Sequence, residues 1–203
     1  SGAQGGMIYT RDETLYQRVR RASDRGKPFF LGKDATNDLA ALNLNSNDLA
    51  AAIGRVQLRK LDALVARRRA IVDQIADGIR SLKTVSVPTL DEAATASYWF
   101  LRMRFHAEGA TCDKATFCQA LIAEGLPVVT EYRSAMPHEM KWFRERRVFG
   151  DSGLPWSSPD YDGDPNRQFL CPNANATLAT HFNLLFHENW RDEDVADAIA
   201  IFQ

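Results

Sequence analysis

Between Ser46 and about Ser81 the chain carries Leu49, Ile53, Val56, Leu61, Leu64, Ile71, Ile75 and Ile79 on one broad stripe, with no proline among them. Apolar residues recurring every three or four positions line one side of a helix, so the spacing predicts a single long helix over 46–81. Asn45, Ser46 and Asp48 supply the first-turn chemistry that such a helix needs, because short polar side chains accept from its unpaired N–H groups. A helix this long connects two parts of a molecule. It divides the chain into a segment before it, 1–45, and a segment after it, 82–203.

The first segment opens on "SGAQGGMIYT". Gly2, Gly5 and Gly6 permit a tight turn, and Met7, Ile8 and Tyr9 read as a buried strand. A phosphate-cradling loop needs the opposite order, a strand followed by glycines and then a helix N-terminus, so the opening is neither a P-loop nor a dinucleotide fingerprint. Asp12 to Asp24 has Leu15 and Val19 at helical spacing, with Asp12 suited to cap the start and Gly26 and Pro28 to end it. Residues 27–45 read as irregular.

Pro88 and the Ala/Thr-rich run from Asp91 to Ala96 place a boundary at about 82–96. Beyond it, "SYWFLRMRF" (97–105) alternates as a half-buried strand. Asp113 to Glu124 reads as a helix closed by Gly125, and "LPVVTEY" (126–132) as a second strand. A long Pro/Gly/Asp loop follows over about 133–171, longer than a connection requires. Pro172 starts a short helix, "HFNLLF" (181–186) is a third strand, and Asp192 to Phe202 is a final amphipathic helix. Strands and helices alternate in this second half, which gives a small α/β or α+β layer.

The chain is 45% hydrophobic and 25% charged with a formal net charge of −1, which offers no general field for nucleic acid or an anionic membrane. The arginine runs at 18–21, 67–69 and 144–147 have acids nearby and read as solvated faces. No apolar run reaches the ~18 residues of a membrane helix. Cys112, Cys118 and Cys171 lack zinc or redox spacing, and their odd number argues against a disulfide framework, so a reduced cytoplasm is the expected compartment.

Three motifs fail on their chemistry. "GDSGL" (150–154) surrounds Ser152 as a nucleophile loop would, yet Leu154 replaces the second glycine and no base histidine accompanies it. "HENWR" (187–191) puts Arg191 where a zinc-protease helix needs its second histidine. "DYDGDP" (160–165) has Pro165 at the required glycine of a calcium loop and Cys171 at its bidentate glutamate. His106, His138, His181 and His187 show no ligand spacing. The residues taken singly name no reaction.

Three segments resemble one family in the same order along the chain. "GAQGGMIYT" (2–10) resembles the Gly-Glu-Gly-Gly-apolar-apolar-x-Thr segment that follows the cofactor lysine in the DegT/DnrJ/EryC1/StrS sugar aminotransferases, with Gln4 in place of the glutamate. "ALNLNSNDLAAAIGRVQLRKLDALVARRR" (41–69) resembles the family's Gly-Tyr-Asn-Tyr-Arg-Met helix start and the helix after it. "EGLPVVTEY" (124–132) and "LATHFNLLFHENWRDEDVADAIAIF" (178–202) are similar to its small-domain end.

The resemblance implies the C-terminal part of a fold type I transferase dependent on pyridoxal 5′-phosphate: 1–45 a remnant of the large cofactor-binding domain, 46–81 an interdomain helix, and 82–203 the small domain. The family's chemistry needs a lysine in Schiff-base linkage with the cofactor, expected a few residues before Ser1; Lys27 and Lys33 do not stand in its context.

It also implies a homodimer with active sites shared across the interface. Asn43 matches an asparagine that bonds the cofactor phosphate in the partner's site, although turn chemistry is an alternative use of the same side chain. Asn45 stands where many members have an arginine for an anionic part of the substrate. Tyr132 matches the tyrosine of a His-Tyr pair, and Glu131 replaces the histidine, free to bind sugar hydroxyls or an amine or to face solvent. His138 lies near a histidine that contacts substrate in some members. The implied activity moves an amino group from glutamate or glutamine to a keto-sugar, nucleotide-linked, or to a ketocyclitol. Two alternatives are a sugar dehydratase of the same family that uses the cofactor's amine form, and a noncatalytic dimerisation or binding fragment.

Overall fold

A computed structural model describes residues 5–131 and 136–203. These residues form two compact units, 1–63 and 64–203.

The first unit contains α1 (Glu13–Ala22) and α2 (Asp48–Leu58) and the opening residues of α3 (Leu61–Gly78). α1 begins as its sequence predicts: the Asp12 carboxylate accepts from the Leu15 N–H and satisfies one of the helix's unpaired donors. Beyond its C-terminus the chain turns back through Gly26 at φ +71, whose N–H donates to the Arg21 carbonyl. A Cβ at Gly26 would lie 1.9 Å from the Leu39 carbonyl oxygen, so only glycine lets the returning 27–45 loop approach this closely.

Asp24 is the pivot of that turn. Its side chain is only 5% exposed, and it pairs with Arg25 at 2.8 Å, Lys27 at 3.0 Å and Arg20 at 3.8 Å. The Lys27 ammonium, with Arg25 and the Asn45 amide adding to it against the effect of burial, holds the Asp24 carboxyl at about 2. Arg21 is separately paired with Asp38 at 3.0 Å. The 18–21 run is thus partly an internal clasp, because these arginines must neutralise acids on the loop that folds over α1.

Two expectations are corrected here. The uninterrupted helix over 46–81 is two helices. At Lys60 the backbone bonds to Gln57 with i→i−3 spacing, and the ladder restarts at Leu61 with Asp62 in its first turn. No proline or glycine marks that break, and the apolar period runs through it unchanged. Met7, Ile8 and Tyr9 are not a strand: they are irregular and 93%, 69% and 81% exposed. A strand needs a hydrogen-bonded neighbour, and among the described residues of this unit nothing extended runs beside 7–9.

The second unit is a four-stranded antiparallel sheet with helices on it. Its strands are β1 (Val85–Ser86), β2 (Leu101–Phe105), β3 (Val128–Val129) and β4 (His181–Leu184), in the order β1-β2-β4-β3. The helices are the remainder of α3, α4 (Lys114–Ala123), α5 (Lys141–Arg144), α6 (Pro172–Thr180) and α7 (Asp192–Phe202). β2 alternates as expected, with Leu101, Met103 and Phe105 buried and Arg102 and Arg104 exposed. Leu101 lies opposite Leu184, and Met103 opposite Phe182, so the central pair presents one apolar face. Ile71, Val72, Ile75 and Ile79 of the α3 side, Cys118 and Leu121 of α4, and Val195, Ala198 and Phe202 of α7 complete the core. β1 falls inside the stretch read from sequence as a boundary; two residues are too short to show a period.

Sequence capping holds here too. The Asp113 side chain accepts from the Thr116 N–H at the start of α4, Gly125 closes that helix at φ +97, and Pro172 occupies its first turn in α6. The segment read as one long loop contains a 3-10 turn (Pro137–Glu139) and α5. No helix among the described residues is long and apolar enough to cross a membrane.

Two outcomes follow. Met103→Ala removes a side chain with no exposure from the centre of the sheet and is expected to cost about 2–5 kcal/mol in urea unfolding, against less than about 0.5 kcal/mol for Arg102→Ala. For Asp24, a folded pKa below the ordinary 3.8 means that its contribution is fully present above about 3.8 and is lost as pH falls through about 2. A carboxyl NMR titration should place its midpoint near 2, and Asp24→Asn should abolish the acid-dependent loosening of the first unit in that window.

Candidate functional site

Asn43 and Asn45 come together through Asp24. Asp24 and Asn43 face each other in an isolated antiparallel bridge, with the Arg25 N–H donating to the Leu42 carbonyl at 3.1 Å and the Leu44 N–H to the Ser23 carbonyl at 2.9 Å. Those bonds fix the backbone on both sides of Asn43. Its Oδ1 then accepts from the Asn45 side-chain amide at 2.9 Å and from the Asn45 N–H at 3.4 Å. Oδ1 is thereby committed. Among the described residues the Asn43 Nδ2 donates to nothing, and the residue is exposed. The result is a surface amide of fixed orientation with its donor end available, the chemistry that an anionic oxygen requires.

Asn45 also lines a cavity of about 750 Å³ with Gly6, Ile8, Tyr16, Arg20 and Ser46. Gly5 and Gly6 of the opening segment therefore sit beside the Asn43–Asn45 turn, within the same unit. Asp24 is the residue that sequence reasoning missed. Its signal was present as an acid flanked by Arg20, Arg21, Arg25 and Lys27, but a charge run of that kind reads equally well as a solvated face.

The remaining candidates belong to the second unit. Glu131 is exposed just after β3, and Tyr132 lies outside the described residues. The end of β3 is nevertheless well anchored. The Lys114 ammonium donates to three carbonyl oxygens, Leu178 at 2.8 Å, His181 at 3.1 Å and Thr130 at 3.3 Å, tying the strand end that leads into Glu131 to the α6–β4 junction. Burial pushes the nearby Cys118 thiol up, which makes it a packing residue and not a nucleophile. His138 is half-buried in the 3-10 turn and lines a separate cavity of about 380 Å³ with Phe143, Arg144, Arg146, Arg167 and Phe169.

The motifs set aside on their sequence have structural uses. The Ser152 hydroxyl donates to the Phe149 carbonyl at 2.8 Å and accepts from the Leu154 N–H at 3.3 Å. Glu188 of "HENWR" accepts from the Arg68 guanidinium at 2.9 Å. Its own backbone N–H and then Arg68 hold its carboxyl below the usual range. Asp164 caps a turn by accepting from the Asn166 N–H. No three His, Cys, Asp or Glu side chains among the described residues are placed to hold a metal ion, and all three cysteines are free thiols.

Comparison with known proteins supplies what geometry alone does not. The model of the DegT/DnrJ/EryC1/StrS aminotransferase family matches residues 2–203. The GDP-perosamine synthase of Escherichia coli O157:H7 is 32% identical over 177 residues, 85% of this chain and 47% of the relative. The dTDP-4-dehydro-2,3,6-trideoxy-D-glucose 4-aminotransferase of Saccharopolyspora spinosa is 28% identical over 151 residues, covering 69% of this chain and 38% of that protein. Among solved structures, the aminotransferase TlmJ of Streptoalloteichus hindustanus superposes with a TM-score of 0.68 over 95% of this chain and 44% of its own, at 24% identity. The chain spans about half the length of the curated relatives it matches. With mixed α/β structure that includes a small antiparallel sheet, and a family match along almost its entire length, the chain belongs to the DegT/DnrJ/EryC1/StrS aminotransferase family.

Proposed function

We propose that this chain is the C-terminal portion of a pyridoxal-phosphate-dependent aminotransferase that moves an amino group from glutamate or glutamine to a keto-sugar. The family match over residues 2–203 carries this reading, and the sugar-nucleotide names of the two relatives support a nucleotide-linked acceptor over a ketocyclitol. On it, residues 1–45 derive from the cofactor-binding domain, 46–81 link the domains, and 82–203 form the small domain. The working enzyme is a homodimer whose sites draw on both subunits.

The residues present fit the cofactor's phosphate. The Asn43 amide offers an oriented, uncharged donor, because Asn45 already occupies its oxygen. When bound, pyridoxal phosphate supplies a carbonyl carbon that accepts an amino group from the donor and returns it to the acceptor. Asn43 holds a phosphate oxygen through Nδ2 while Asn45 and the Asp24 bridge keep that amide from rotating. Asn45, uncharged where many members carry arginine, gives a hydrogen bond and no ion pair to the substrate. Glu131 and Tyr132 follow the strand end that Lys114 secures and bind acceptor hydroxyls, with His138 as a further substrate contact. The lysine that carries the cofactor stands outside this chain, which contributes contacts and does not turn over alone.

Two measurements test this. With its cofactor bound, the intact protein is expected to form at most about one equivalent of 2-oxoglutarate per site from glutamate alone and to form it continuously once a keto-sugar nucleotide is also supplied; product that has lost water and gained no nitrogen would identify the dehydratase chemistry and overturn the transfer. Asn43→Asp puts a carboxylate against the phosphate and should weaken cofactor binding by roughly tenfold or more in an absorbance titration, whereas Asn43→Ser, which keeps a donor, should lose less. Unchanged affinity in Asn43→Asp would remove Asn43 from the phosphate site.

A further inference from the structure

β4 carries a polar residue at the centre of the sheet. Asn183 lies opposite Arg102 of β2 and Val129 of β3 and is only 2% exposed. Because side chains alternate along a strand, Asn183 and His181 share the face that Phe182 and Leu184 do not use, with Arg102 and Arg104 of β2 beside them. Among the described residues the Asn183 side chain makes no hydrogen bond. A buried amide left without a partner is costly, and a native structure meets it with a bound water or ion.

The space beside that amide is small and its surroundings are cationic. Asn183 lines a cavity of about 20 Å³ with Arg102, Thr177, Leu178, His181 and Phe182, room for one particle of about water size. Among the described residues Arg102 and Arg104 donate to no acceptor and have no carboxylate within ion-pair distance. The Arg102 guanidinium lies 5.6 Å from the Phe100 ring centre, and the Lys114 ammonium donates to carbonyls, contacts that orient a cation without neutralising it. The His181 Nδ1 donates to the Thr177 carbonyl at 3.0 Å, so Nε2 is the atom that gains a proton when the ring charges. Burial, together with the charges of Arg102, Arg104 and Lys114, holds that imidazole below its ordinary value against the effect of the Thr177 bond, and no carboxylate is among the charges that act on it. A water would satisfy the amide and leave the charge unanswered. A monoatomic anion answers both, and a tetrahedral oxyanion is too large for the space.

We propose that this cavity binds a chloride ion, which accepts from the Asn183 Nδ2 and the Arg102 guanidinium with His181 beside it. The site is independent of the amino-transfer chemistry.

Position and affinity are tested separately. Crystals of the intact protein soaked in bromide, which has the same charge and scatters anomalously, are expected to show an anomalous peak beside Asn183 and Arg102. In solution, the His181 ring signal of the intact protein is followed by NMR through a pH titration in chloride and in gluconate at equal ionic strength. Arg102, Arg104 and Lys114, the charged groups that act on the ring from β2 and α4, stay protonated throughout that titration, so only the anion differs. Chloride should raise the midpoint over gluconate by about half a pH unit or more, because a bound anion favours the imidazolium. Arg102→Gln and Asn183→Leu should each lose the bromide peak and most of that difference; Arg102 is exposed, so its variant keeps the fold even if Asn183→Leu does not. Arg18→Gln, at an exposed arginine on α1, should keep both signals. The absence of a peak, a peak in the crystal with no chloride effect in solution, or an equal effect in Arg102→Gln overturns the proposal. So does sulfate that shifts His181 as far as chloride does, since a one-particle cavity must discriminate against it.

Discussion

The second unit depends on the pairing of β2 with β4. Neither strand is long, yet the register that sets Leu101 against Leu184 and Met103 against Phe182 puts these four apolar side chains of the pair on one face. A slip by one residue would bring Arg102 and Arg104 into that face and expel its apolar set, a change that no helix packed on the sheet could absorb. The register therefore fixes where α3, α4 and α7 lie. It also fixes the end of β3, which pairs Val128 with Leu184 and is tied by Lys114 to the α6–β4 junction. Glu131 is placed by that chain of constraints.

The first unit is held differently. α1 has no fully buried residue, and its attachment to the 27–45 loop comes from charge and backbone bonding: Asp24 with its three cations, Arg21 with Asp38, and the bridge to Asn43. A carboxylate with little solvent access persists as an anion only where cations and donors compensate for lost hydration, which is why four basic residues crowd this turn. The same cluster that closes the loop orients the Asn43 amide. Stability and the proposed phosphate contact share one set of residues, so disturbance of Asp24 should be felt at Asn43 before it is felt in the second unit.

The two arginine-rich regions that fold inward illustrate what a linear reading misses. The 144–147 run reads as a solvated face because its neighbours include acids, and Arg147 does pair with Glu145 and Asp151. Arg146, one position earlier, is instead clasped by carbonyls from residues that lie as far as Arg167 along the chain. Whether an arginine finds an acid, a carbonyl or a ring depends on which segments fold beside it, and that pairing has no local signature.

Helix starts, the alternation in β2 and the order of elements in the second half were determined by the sequence itself, because capping, proline geometry and a period of two act within a few residues. Asp12, Asp113, Gly125 and Pro172 each do locally what their chemistry dictates. The family, too, was legible, since its motifs are contiguous. Only the tertiary structure decided that the stripe of 46–81 breaks at Lys60, that Met7 to Tyr9 remain exposed, that Asp24 holds Asn43 and Asn45 together, and that three arginines meet around one cavity. The physical reason is the range of the interactions involved. A cap or a period is closed by neighbours in the chain, whereas a strand's partner, a buried charge's counter-ions and a cavity's walls come from residues that only folding brings together.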